Sequence, residues 1–381
     1  MPLDIASTTN ITPITKGLGM NVKKVSSRLL CAAAVSIALT SAGAFALNND
    51  SIKNIDSTSI EMLNARFKQG DYEYVIEALE DVKVKTPKQY NILISALMNI
   101  DLDDAEEVAD EFVKNYSNDY RAYHTHANVM GAQASNSIFS ALGYAKKAKQ
   151  SLETAVTLAP DEVGVYQALM QFHLMAPSIA GGDMDEAEKL ADKIATLDAL
   201  EGQFAKAKFY LQDDQVDKAV EIYATLAQQN EAKIRANLEL GTHYLTDERF
   251  QNAFETLSVL LNESVETVTD KESEQWEAYA ENKSNLLYGK YRIGLLAVQS
   301  GEYTDSGIAA LEQYIEEYNT TSIETAHLPS MNWANLRLAE LRLNANDVQQ
   351  AKATLSQING EEDKRFAKIL KGLKKQIKKR A

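Results

Sequence analysis

The chain has 381 residues, with 39 Lys and Arg against 54 Asp and Glu, a formal net charge of −15, 45% hydrophobic residues and a single Cys. An acidic balance of that size excludes a generic nucleic-acid binder, which needs a basic surface to displace counterions from phosphate. Ordinary apolar content excludes wholesale disorder, and one Cys excludes a disulfide framework.

From the N-terminus, Met20 opens a three-part pattern. Lys23, Lys24 and Arg28 form a positive region, Leu29 to Leu39 an apolar stretch, and Ala44-Phe45-Ala46 an A-x-A cleavage site. This predicts an N-terminal extension plus secretory signal peptide over 1–46, with Met20 the true start and cleavage after Ala46. Cleavage is preferred to an uncleaved anchor because the apolar stretch is too short to span about 30 Å of hydrocarbon. Arg28, Leu29 and Leu30 stand where a lipobox needs small residues before Cys31, so lipidation is rejected. The leader predicts export to an oxidising compartment. The mature chain has no Cys and no further stretch long enough for stable membrane insertion.

From residue 51 onward, apolar residues recur at i, i+3, i+4 and i+7, and alternating β-branched runs are missing, so helices are predicted almost throughout. The clearest unit runs from Ile234 to Leu261, with Leu240-Gly241 and Tyr244 on a first helix and Ala253, Leu257 and Leu260 on a second. Small residues at Gly241 and Ala253 allow two antiparallel helices to approach closely. Taken as a ruler, the small position recurs at Val75, Ala105, Ala148, Ala187, Ala219, Ala253, Ser306 and Ala351, which predicts eight helical pairs. Pro87 and Pro160 are expected to close units. Uneven spacings place insertions near 134–143, 176–182 and 262–274, expected in loops.

These positions resemble the tetratricopeptide repeat (TPR), in which a first helix carries a large residue, Leu-Gly and Tyr, and a second carries Ala and further apolar residues. The resemblance covers about 57–358. It implies an all-α, right-handed superhelical solenoid of antiparallel helix pairs with a C-terminal capping helix. Within it, residues 137–202, including the Ala176-Pro177 to Gly181-Gly182 loop, and residues 332–338 resemble exported proteobacterial TPR-containing proteins. That likeness implies architecture and compartment, and no activity.

Candidate chemistry is sparse. The loop from Pro177 to Gly182 lacks a preceding strand and a Lys-Ser/Thr, so a structural loop with Asp183 near an N-cap is expected rather than an anion site. Asp183 and Asp185 lack the register of a calcium loop. His124 and His126, two apart, point about 200° from each other on a helix and cannot share an ion. His173 is expected to pack and His243 to lie at the surface. With no nucleophile or zinc motif, no catalytic residue, metal or cofactor is assigned.

In a TPR stack the first helices line the concave face. By register the groove is predicted to present Gln167, Gln171, Phe204, Lys208, Arg235, Leu238, Thr242, Tyr288 and Tyr291, a mixture suited to an extended peptide or helix. The tail, 361–381, holds nine basic residues from Lys364 to Arg380 with no acid among them and apolar residues at helical spacing. It caps the apolar edge of the last repeat, or it is a basic amphipathic helix touching anionic lipid or an acidic partner; both hold together if the apolar face turns inward and the basic face outward. The expected function is a non-catalytic scaffold or adaptor for a protein or peptide ligand, without nucleic acid. The alternative is a structural tether linking envelope components to the membrane through the basic helix.

Overall fold

Helix follows helix, and each pair turns back on itself within a few residues. The computed structural model describes residues 57–380 apart from 69, 138, 326, 361 and 362; the leader, with Met20 and Ala46, lies outside the described residues. The helices are α1 (Ser57–Lys68), α2 (Tyr72–Glu80), α3 (Pro87–Ile100), α4 (Leu102–Asn115), α5 (Tyr120–Asn136), α6 (Ala141–Leu158), α7 (Val163–Met175), α8 (Met184–Leu197) and α9 (Ala199–Gln212). They continue as α10 (Val216–Leu226), α11 (Lys233–Thr246), α12 (Phe250–Leu257), α13 (Trp276–Ser300), α14 (Thr304–Thr320), α15 (Met331–Asn344), α16 (Val348–Leu355) and α17 (Lys364–Arg380). No strand occurs among the described residues. Odd and even helices form eight antiparallel pairs, and α17 follows them.

Local chemistry sets the boundaries. Asp101, Asp183 and Asp198 each accept backbone N–H bonds at the start of α4, α8 and α9, satisfying donors that have no partner inside the helix. Thr86 and Gln89 make a capping box at α3, with Pro87 in the first turn. Pro87 therefore opens a helix; α2 has already stopped at Glu80, so the expectation that Pro87 ends one is corrected. Several intra-pair turns reverse through a left-handed residue: Gly70 (φ 75°), Asp214 (59°), Glu248 (58°), Tyr303 (56°) and Asn346 (62°).

The small-residue ruler identifies the tightest contacts. Val75, Ala105, Ala187, Ala219, Ala253 and Ala351 are fully buried. Gly241 faces Leu257 so closely that a Cβ there would lie 2.5 Å from its Cγ, and Gly294 faces Leu311 with 2.4 Å. In the seventh pair the small position is Gly307, not Ser306. Ser306 is only half-buried, whereas a Cβ on Gly307 would meet the Cβ of Ala297 at 2.4 Å. The first helix there carries one extra residue before the turn, which shifts the register.

One of the three insertions is spent differently from expectation. Around 134–143 the extra residues lengthen α5 and α6 to 17 and 18 residues rather than making a long loop. At 176–182 a loop does form, with a 3-10 turn over Ser178–Ala180 and Gly181 left-handed at φ 95°. A Cβ on Gly182 would fall 1.8 Å from the Ala176 carbonyl oxygen, so only glycine fits. Residues 263–275 form the third insertion, ahead of the 25-residue α13.

The layers are unequal. Odd helices of successive pairs pack on one another: α1 on α3, α3 on α5, α7 on α9, α11 on α13 and α13 on α15. No even helix packs as extensively on the even helix of the next pair among the described residues. The odd layer is thus the tighter, inner one. At the end of the stack, Phe366, Leu370, Leu373 and Ile377 of α17 are buried against Leu336, Ala339 and Leu343 of α15 and Ala351 of α16. The apolar face of α17 is thus taken up as a cap, and its basic face stays exposed.

Candidate functional site on the inner face

The inner layer carries a ladder of polar residues in equivalent positions of successive pairs. Gln167 on α7, Glu201 on α9 and Arg235 on α11 are each 34 residues apart. The Gln167 amide donates to Glu201, and the Arg235 guanidinium grips the same carboxylate with two bonds of 2.5 and 3.0 Å. The Arg235 Nε donates to Glu239 at 2.9 Å, one turn along α11. Lys208 approaches Glu239 at 3.0 Å, and the buried Tyr223 donates its hydroxyl to the other Glu239 oxygen at 2.9 Å. Thr125 and Asn91 repeat the 34-residue step between α5 and α3 with a 2.8 Å bond.

Electrostatics follow from this packing. Burial works against the charge of Arg235, but Glu239 and Glu201 outweigh it and hold the guanidinium firmly protonated. Burial likewise pushes Glu239 up, and Lys208 with Arg235 pull it below the usual carboxylate range. Glu281 on α13 differs. It sits 3.6 Å from the Arg235 guanidinium, beyond hydrogen-bond distance, and half of its side chain is open to solvent. Burial raises its pKa; Arg235 offsets this in part, while Glu201, Glu239 and Glu277 raise it further. Three carboxylates share two cations here, and Glu281 is the one left short.

A second set lies further along. Lys283 on α13 meets Glu317 at 2.6 Å, again 34 residues away, and Lys290 bonds the other oxygen of Glu317. Arg292 donates to the Tyr288 hydroxyl, and Arg337 pairs with Glu340 at 2.5 Å beside Trp333.

The nine sequence-predicted groove residues separate by depth. Gln171 is exposed; Gln167, Lys208, Arg235, Thr242 and Tyr288 are half-buried. Phe204 (1% exposed), Leu238 (6%) and Tyr291 (8%) are core residues, which corrects their assignment to an open groove. The reason is steric. Phe204 lies under the Arg235 guanidinium, 3.9 Å from ring centroid to Cζ, and packs near Tyr223. Leu238 belongs to the same apolar cluster as Phe204 and Tyr244, and Tyr291 packs against Tyr314. Sequence reasoning missed Glu201, Glu239 and Glu281. The 34-residue step that located the small residues, applied to polar ones, finds Glu201 from either side.

His126 is buried, with its ring nitrogens bonded to Ser151 at 2.8 Å and Asp110 at 3.0 Å. His173 is buried as expected, and His243 is half-buried rather than at the surface. Asp183 caps α8 through two backbone bonds, as the loop reading expected. No three His, Cys, Asp or Glu side chains converge to hold a metal among the described residues.

Helix pairs with Ala and Gly at the crossings and the first helices innermost, with 34-residue steps from α7 to α9 to α11, have the architecture of tetratricopeptide repeats. Solved structures similar to the chain include a thermophilic TPR protein of Thermus thermophilus, at 16% identity, covering 49% of this chain and 98% of that one with a TM-score of 0.40. A tetratricopeptide repeat protein from Parabacteroides merdae is similar at 12% identity, covering 74% and 96%, TM-score 0.42. The yeast Tom70 is similar at 13% identity, covering 87% and 67%, TM-score 0.36. All three scores are below 0.5, so the architecture rests on the packing within this chain. No protein-family model and no curated protein matches it.

Proposed function

We propose that the chain is a non-catalytic interaction scaffold that seats a peptide segment or helix of another protein on its inner face between α7 and α13. Its place is the periplasm, reached through the leader that ends at Ala46. The observation that carries the reading is Glu281. Every other carboxylate of the Arg235 cluster is matched by a cation within hydrogen-bond distance, and Glu281 is not. A lysine or arginine of a partner would supply the missing charge in a half-desolvated setting, where a charge-assisted bond is strong. Gln171 offers exposed amide groups for a partner backbone, and Tyr288 an aromatic anchor. The reading needs no reacting group: Glu201 and Glu239 are engaged with Arg235 and Lys208, and Glu281 serves as a charge for the partner.

The test is selection of binders from a randomised peptide library on the full chain, repeated with Glu281→Gln. Enrichment of Lys- or Arg-bearing peptides that bind roughly tenfold more weakly to the variant is the expected result. Enrichment without basic residues, or affinity indifferent to Glu281, refutes it. N-terminal sequencing of the exported protein tests the compartment; a mature chain starting at Leu47 is expected.

A further inference from the structure

The cap helix α17 has a second face. At 100° per residue, Lys364, Lys368, Lys371, Lys374, Lys375, Lys378 and Lys379 fall within an arc of about 140°, and the four buried apolar residues fall on the opposite side. All seven lysines are exposed, and none makes an ion pair or hydrogen bond with another described residue. The array runs about 25 Å along the helix. It contrasts with residues 47–360, which hold 26 bases and 50 acids, a net of −24.

We infer that this lysine face is a docking surface for an anionic phospholipid bilayer. It is a separate surface from the inner face and does not depend on the scaffold reading. Charge complementarity is the first argument: seven unpaired cations in one arc match a plane of phosphate headgroups, each worth attraction near such a surface. The residue type is the second. Lysine is a strongly hydrated point charge, depleted from the cores of protein interfaces, where arginine and aromatics dominate. The face has seven lysines and no aromatic, so it suits attraction across retained water rather than a dry protein contact. The apolar side is the third. Because Phe366, Leu370, Leu373 and Ile377 are buried on α15 and α16, the helix cannot sink into hydrocarbon or into a partner's groove. Contact is peripheral, reversible and salt-sensitive.

The experiment is co-sedimentation of the full chain with vesicles of phosphatidylcholine alone or in equal mixture with phosphatidylglycerol, in rising salt. The variant Lys368→Gln/Lys371→Gln/Lys375→Gln is compared with Lys83→Gln/Lys88→Gln/Lys146→Gln, which removes the same charge from exposed sites elsewhere. These side chains on α17 are exposed and make no ion pair or hydrogen bond among the described residues, so thermal unfolding checks that the fold is kept. Binding to the anionic vesicles only, lost in salt and weakened roughly a hundredfold by the α17 variant but little by the control, is expected. Failure to bind anionic vesicles, or equal weakening by both variants, overturns the inference. So does duplex DNA binding without vesicle binding. Salt-sensitive self-association that the α17 variant abolishes, again without vesicle binding, would assign the face to a second copy.

Discussion

Arg235 lies over the ring of Phe204 at 3.9 Å while its guanidinium holds Glu201 on the same helix as that ring. One side chain thus seals an aromatic core residue and ties α11 to α9. Arg235→Ala would leave Glu201 without its cation in a half-buried setting, leave Glu239 with Lys208 and Tyr223 alone, and uncover Phe204. A loss of about 3 kcal/mol in denaturant unfolding is expected. Arg235→Lys should recover only part of it, because an ammonium cannot bond both Glu201 oxygens as a planar fork does.

Glu281 has the opposite sign. Its folded pKa is raised, so the folded protein binds more protons than the unfolded chain just above the ordinary glutamate value of 4.5. Stability therefore falls as pH rises through that window. Glu281→Gln should stabilise the protein at neutral pH by a few tenths of a kcal/mol, the size suited to a half-exposed group. Basic peptides bound at the inner face should dissociate as pH drops toward the raised pKa.

The histidines work the other way. Burial is the leading cause that lowers His124, His126, His173, His243 and His327 below 6.5. Between each depressed folded value and 6.5 the unfolded chain binds more protons, so stability falls as pH drops through that window. Paired carboxylates such as Glu239 and Glu317 add losses of the same sign at lower pH. Thermal unfolding should occur at lower temperature at pH 5.5 than at pH 7.5 (the two pH values bracket the histidine range).

Two glycines make a matched pair. Gly241→Ala drives a methyl into Leu257 and should cost about 1–2 kcal/mol after the gain in helix propensity. Gly372→Ala, inside α17 with open space around its Cβ, should stabilise by about 0.5–1 kcal/mol. Equal effects at both sites would refute the close-packing account of Gly241.

Truncation after residue 363 would bare Leu336, Ala339, Leu343 and Ala351. Loss of the four buried α17 side chains should cost several kcal/mol and expose apolar surface to a hydrophobic dye, starting from the last pair. A truncated chain that melts like the full one would show that α17 is not a cap.

Much of the fold was legible in the residue pattern alone. The small-residue ruler predicted eight pairs, and it marked Ala105, Ala187, Ala219 and Ala253, all fully buried. It slipped by one at Ser306, because a residue added at the end of α13 changes nothing in the local pattern but shifts which side chain meets Ala297. The inner face was less legible. Counting i, i+3, i+7 along a helix finds a face but not its depth. Phe204, Leu238 and Tyr291 lie on the flank where a neighbouring helix closes over them.

The sequence by itself determined the helical repeat, its step and the acidic charge balance, because periodicity, glycine and alanine spacing and charge are properties of the chain. Its −15 was already the sum of a basic leader, an acidic body and a basic tail. Only the tertiary structure decided which way the tail faces and which carboxylate is left without a cation. Both depend on distances between helices: α17 spends its apolar side on α15 and α16, and the Arg235 guanidinium, 3.6 Å from Glu281, is already taken by Glu201 and Glu239.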